Sequence, residues 1–131
     1  MSNYEQDFYS WTQEQAALLR AGRLNDLDIE NLIEEVETMG RSEKRELESR
    51  LTVLLLHLLK WRYQEVRRGR RWELTIGEQR LRFVATLEEN PGLKSKLDEI
   101  LTKAYKFAVI QASRETKISQ NVFPEQCPWL L

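Results

Sequence analysis

The chain has 131 residues, 41% of them hydrophobic, with 20 basic and 21 acidic side chains and a net charge of −1. A domain of this length buries about two-thirds of the surface its unfolded chain exposes, so its core needs neither disulfides nor metal. Five glycines and three prolines are too few for a turn-rich all-β fold, and the single cysteine excludes an internal disulfide and a multi-cysteine zinc site. One histidine argues against a His-rich metal centre. No apolar run approaches the length of a membrane span. The acidic, aromatic N-terminus MSNYEQDFYSW is neither a signal nor a transit peptide. With a lone thiol that fits a reducing compartment, the expectation is a cytoplasmic protein.

Five helices are predicted in chain order. The first covers residues 4–21: Tyr4, Phe8, Trp11, Gln15 and Leu18 repeat at four and three residues and share one face, and Gly22 is the stop. The second covers 26–39, with Asn25 as cap, Asp28 close to a capping-box position and Leu24 with Ile29 as a hydrophobic staple. Its apolar stripe is Ile29, Leu32, Ile33, Val36 and Met39, and Gly40 ends it. The third covers 43–66 with Ser42 as cap. Leu47, Leu51, Leu54, Leu58 and Trp61 form its stripe, and Val53, Leu55, Leu56 and Leu59 extend it almost all round, the mark of a helix touched on several sides. RRGRR, residues 67–71, reads as a loop.

The fourth helix covers 72–89, with Trp72, Ile76, Phe83 and Leu87 inward and Leu74 and Leu81 pointing the other way. Asn90-Pro91 is a boundary, with Pro91 suited to the first position of the next helix and Asn90 to its cap. The fifth runs to 116, with Leu93, Leu97, Ile100, Leu101, Ala104, Phe107 and Ala108 inward. The two prolines of NVFPEQCPWLL stop it. The expectation is one all-α domain over residues 1–131. It is a compact bundle of about five helices around a central apolar third helix. The second and third helices form an antiparallel pair, and a Pro-containing tail, 119–131, packs on the bundle.

Charge is unevenly placed. Residues 1–48 carry 12 acidic and 5 basic side chains, and residues 49–82 carry 3 acidic and 9 basic. Such blocks pair within one chain or across a two-fold axis. Lys60, Arg62, Arg67, Arg68, Arg70 and Arg71 form a basic cluster with Trp61, Tyr63 and Trp72 beside it, the composition of an anion or nucleic-acid surface. Against that reading, the chain as a whole is near neutral and the tryptophans fall on core stripes. His57 is the one side chain whose unperturbed titration lies near neutrality, and Arg50 and Gln64 share its flank. Glu34 or Glu35 of the second helix is a candidate orienting carboxylate for it, and the bland alternative is a half-buried histidine bonded at a helix contact. Gln15, Gln79 and Gln111 interrupt apolar stripes and need hydrogen-bond partners if buried. Cys127 has no basic residue near it in sequence and reads as a packing residue. The sequence contains no phosphate-binding loop, nucleophile elbow or zinc-protease motif, and it calls for no metal and no cofactor.

YEQDFYSWTQEQAALLRAGR, LDIENLIEEVETMGRSEKRELESRL, LLLHLLKW, WELTIGEQR, ENPGLK, AYKFA and FPEQCPW, spread from Tyr4 to Trp129, resemble the domain of unknown function 29 family, which is widespread in bacteria and abundant in cyanobacteria. The resemblance implies an all-helical chain and brings no catalytic residue with it. The functional expectation is a non-enzymatic protein–protein interaction module that binds a protein partner or itself as a homodimer. Two alternatives stand beside it: a nucleic-acid-associated regulator or antitoxin-like protein using the basic cluster, and a small hydrolase or nuclease using His57.

Overall fold

The computed structural model describes residues 3–65 and 68–129. Those residues are all-α, with no strand among them. Four α-helices occur in order: α1 (Phe8–Arg20), α2 (Ile29–Tyr63), α3 (Arg70–Glu89) and α4 (Leu97–Thr116), with short 3-10 turns at Leu24–Asp26, Pro91–Lys96 and Gln120–Val122. Val66 and Arg67, expected to end the third helix and to join the basic cluster, lie outside the described residues, as do Leu130 and Leu131 of the tail.

The helix count is four rather than five because the second and third predicted helices are one helix of 35 residues. Gly40 does not end it. A glycine stops a helix by taking a left-handed conformation after the last turn. Gly22, with φ of 72°, does so after α1, and it is the one glycine with positive φ among the described residues. Gly40 stays helical at a penalty of about 1 kcal/mol relative to alanine, which the surrounding good helix formers absorb. The expected antiparallel pairing of residues 26–39 with 43–66 is therefore replaced by continuous helix.

Other boundaries moved for local reasons. Asp7 caps α1, accepting a hydrogen bond from the Ser10 backbone N–H at 3.1 Å, so the helix starts at Phe8 rather than Tyr4. Gly69, in extended conformation, precedes α3, and so Arg70 and Arg71 form its first turn instead of lying in a loop. Asn90 caps nothing after it; its side-chain amide donates back to the Thr86 carbonyl at 3.0 Å. Pro91 opens a 3-10 stretch, and α4 proper begins at Leu97.

The described residues fall into two compact units, Met1–Arg41 and Ser42–Leu131, and the boundary lies within α2. In the second unit one apolar cluster joins Leu47, Leu51, Leu54, Leu55, Leu56, Leu58 and Leu59 of α2 to Ile76 and Phe83 of α3, to Ile100, Ala104, Tyr105, Ala108 and Ala112 of α4, and to Phe123 of the tail. Polar contacts give the directions. Lys44–Glu99, Glu48–Lys103 and Lys60–Glu115 pair residues of α2 and α4 at a constant separation of 55 in sequence, so the two helices run parallel. Glu43 receives a bond from Asn90 at the end of α3, while Lys60 sits over the Trp72 ring at its start, so α3 runs antiparallel to α2.

Ala104, Ala108 and Ala112 repeat every four residues, and all three are buried, as is Tyr105. Phe107, expected inward, is 47% exposed because it sits on the flank of that alanine face, about 100° round the helix from its centre. In the tail, Phe123 is buried and meets Tyr63 edge-on, and the Tyr105 hydroxyl donates to the Pro124 carbonyl at 2.6 Å.

Leu54 is 1% exposed inside this cluster. Leu54→Ala is expected to lower unfolding stability by ~2–5 kcal/mol, the cost of a cavity among rigid neighbours. Val122, 54% exposed in the turn Gln120–Val122, serves as the control. Val122→Ala is expected to change stability by less than about 0.5 kcal/mol. Denaturant unfolding of both variants checks the pair.

Candidate interaction surface

In the first unit, α1 is held to the start of α2 mainly by polar contacts. Trp11 and Gln15 are the buried residues of α1. Both bond to Asp28, the residue just before α2. The Trp11 indole N–H donates to its carboxylate at 2.9 Å, and its backbone N–H donates to the Gln15 side-chain oxygen at 2.8 Å. The Asn31 amide donates to the same carboxylate at 2.8 Å, and the Tyr4 hydroxyl donates to Glu35. Phe8 stacks on Trp11, and Tyr4 meets both rings edge-on beside this network. Hydrogen bonds from Asn31 and Trp11 hold the Asp28 carboxyl below its ordinary range. The bond to Glu35, with burial and nearby carboxylates, pushes Tyr4 up to about 12.

Asp28, Asn31 and Glu35 recur every three to four residues, so α1 occupies one polar face of α2. The apolar stripe of the same segment therefore faces elsewhere. Ile29, Ile33, Val36 and Met39 are 50%, 52%, 63% and 63% exposed. Leu24 is exposed as well, so the expected staple between Leu24 and Ile29 does not form. The stripe is legible in the residues, whereas its exposure is not. The available signal was the polar set beside it, which suits the indole of Trp11 and the amide of Gln15 better than it suits water.

A second bare apolar face lies on α3, in the other unit: Leu74, Leu81 and Val84 are exposed at 61%, 74% and 48%. The outward direction of Leu74 and Leu81 agrees with the sequence reading.

The basic cluster is largely engaged with its own unit. Lys60 pairs with Glu115 at 3.3 Å and lies over Trp72. Arg62 lies over Tyr63. Arg68 lies over Trp61, donates to its carbonyl at 2.5 Å and reaches Glu65. Arg70 and Arg71 are exposed on the first turn of α3. The aromatic side chains that could have stacked on bases are thus covered by cations of the same chain.

Each of Glu35, Arg50, His57 and Gln64 has a hydrogen-bond partner of its own. Glu35 accepts from Tyr4, and Arg50 donates to Glu46 at 2.9 Å. His57 is half-buried and its Nδ1–H donates to the Val53 carbonyl at 2.9 Å, one turn back on its own helix. The Gln64 backbone N–H donates to the Lys60 carbonyl at 2.9 Å. Burial pushes the Cys127 thiol up, as suits a packing residue, and its Sγ–H donates to the Trp129 carbonyl at 3.6 Å. Gln15 is buried and bonded, whereas the side-chain oxygen of Gln79 has no partner among the described residues. Among those residues no group of three acidic, histidine or cysteine side chains could hold a metal ion, and no helix is long and apolar enough to cross a membrane.

The family model for the domain of unknown function DUF29 matches residues 3–131, essentially the whole chain. The chain belongs to this family. No curated protein and no solved structure matches it.

The Asp28 network sets a pH window for the first unit. Asp28 is depressed in the folded state, so its contribution is complete above the ordinary carboxylate range and is lost as pH falls below roughly 4. Tyr4 is raised, so its contribution is complete below about pH 10 and is lost as pH rises toward about 12. The Trp11 indole N–H resonance is expected to hold its shift between these limits and move outside them. Asp28→Asn should abolish the acid limb and Tyr4→Phe the alkaline limb.

Proposed function

We propose that this DUF29 chain is a cytoplasmic, non-enzymatic interaction module that docks a protein on the first half of α2. The observation that supports this reading is the bare stripe of Ile29, Ile33, Val36 and Met39. Single exposed apolar residues are ordinary. Four at helical spacing, running about 15 Å along a helix at 1.5 Å per residue, are the pattern by which one amphipathic helix meets another. The polar face of the segment is already used by α1 through Trp11 and Gln15, and by Tyr4 ahead of α1, so the helix is held in place with its apolar side outward. The unpaired Cys127 suits a reducing compartment.

A photocrosslinking side chain tests the reading inside cells of the native host. With Ile33→benzoylphenylalanine in the full chain, light is expected to give a discrete protein adduct. The same group at Ala17, exposed on α1, is expected to give none. The absence of an adduct from Ile33, or equal adducts from both positions, would contradict a docking role for the stripe.

A further inference from the structure

Resting on the reading above, we infer that the occupant of the α2 stripe is the outer face of α3 from a second copy of the chain. Three observations on the two surfaces converge. The first is charge. Residues 29–41 carry Glu30, Glu34, Glu35 and Glu37 against Arg41 alone. Two such segments facing each other would set like charges together, which disfavours pairing of the stripe with itself. The face of α3 is opposite in sign over its first thirteen residues, with Arg70, Arg71, Arg80 and Arg82 against Glu73 and Glu78. Arg82 is engaged by Glu78 at 2.8 Å, while the side chains of Arg70, Arg71 and Arg80 have no ion-pair or hydrogen-bond partner in their own chain among the described residues.

The second observation is spacing. Ile29 and Val36 lie seven residues apart, as do Leu74 and Leu81. Each pair repeats every two turns, so the two stripes have matching period and can interdigitate.

The third is the placement of glycine. Gly40 sits within α2, four residues after Val36 and on the same face, and Gly77 sits within α3 between Leu74 and Leu81. A Cβ built on either would meet nothing within 4 Å, so no contact inside the chain requires glycine there. A helix-interior glycine weakens its helix, and what it provides in return is close approach by another backbone. Both glycines lie on bare apolar faces.

Reciprocal charge reversal in the full chain tests the inference by sedimentation velocity. Glu30→Lys with Glu37→Lys makes the α2 stripe basic. Arg70→Glu with Arg71→Glu makes the start of α3 acidic, and acids in a first turn suit the helix dipole, so folding is kept. Circular dichroism checks both variants for wild-type helicity. The wild type is expected to self-associate, and to do so less as salt rises. Each variant alone is expected to associate at least about tenfold more weakly, while an equimolar mixture recovers association, because each then meets its opposite. Monomeric wild type, variants that associate as wild type does, or a mixture that stays monomeric would overturn the inference. An Ile33 adduct with a different protein alongside monomeric wild type would overturn it and leave the docking reading standing. Absence of any adduct would remove both.

Discussion

The fold depends on the burial of one leucine-rich stretch. From Leu47 to Leu59, α2 places seven leucines in a single cluster, five of them at 1% exposure or less. A helix that apolar over so much of its circumference needs cover on several sides. The second unit supplies it with α3 antiparallel, α4 parallel and the tail folded back through Phe123. The alanine face of α4 answers the bulk of the leucines with small side chains, so large and small residues interlock at ordinary interior density. The ion pairs between α2 and α4 each keep the α4 partner about half exposed or more and contribute about 0–1 kcal/mol. Their role is to mark register, and the leucines carry the stability.

The first unit is organised on a different principle. Its buried residues are a tryptophan and a glutamine, and its specificity comes from hydrogen bonds converging on Asp28. Hydrogen bonds fix orientation sharply while contributing modestly to net stability. The consequence is a short α1 held on the polar side of α2, with the apolar side left exposed. Stability and surface chemistry are thus separated along the chain: leucine burial in residues 42–131, an oriented apolar and acidic surface in residues 1–41.

Much of this was readable in the residues. The all-helical class followed from sustained 3.6-residue periodicity with few glycines and prolines, and the stops at Gly22 and Asn90-Pro91 were visible as local chemistry. The error at Gly40 shows a limit of composition signals. Glycine ends a helix by a conformation, and the residue type alone does not state which conformation is taken. The inward assignment of Phe107 failed for a related reason: size suggested burial, whereas the alanine period dictated the face and selected Tyr105 instead. The candidate site was legible only in part. The stripe of Ile29, Ile33, Val36 and Met39 was evident, but its exposure depends on which face α1 takes, and that choice is made by the Trp11 and Gln15 bonds to Asp28. The basic cluster looked like a free surface in sequence because ring stacking by Arg62 and Arg68 on Tyr63 and Trp61 is a three-dimensional event.

The central claim is that α2 is one uninterrupted helix whose leucine-rich half forms the core. Residue-resolved amide hydrogen exchange tests it most directly. The amides of Leu51, Leu54, Leu55 and Leu59 are predicted to exchange most slowly in the chain, at the rate of global unfolding, and those from Met39 to Ser42 to keep helical protection without a gap. Rapid exchange at the leucines, or a break in protection at Gly40, would contradict the account.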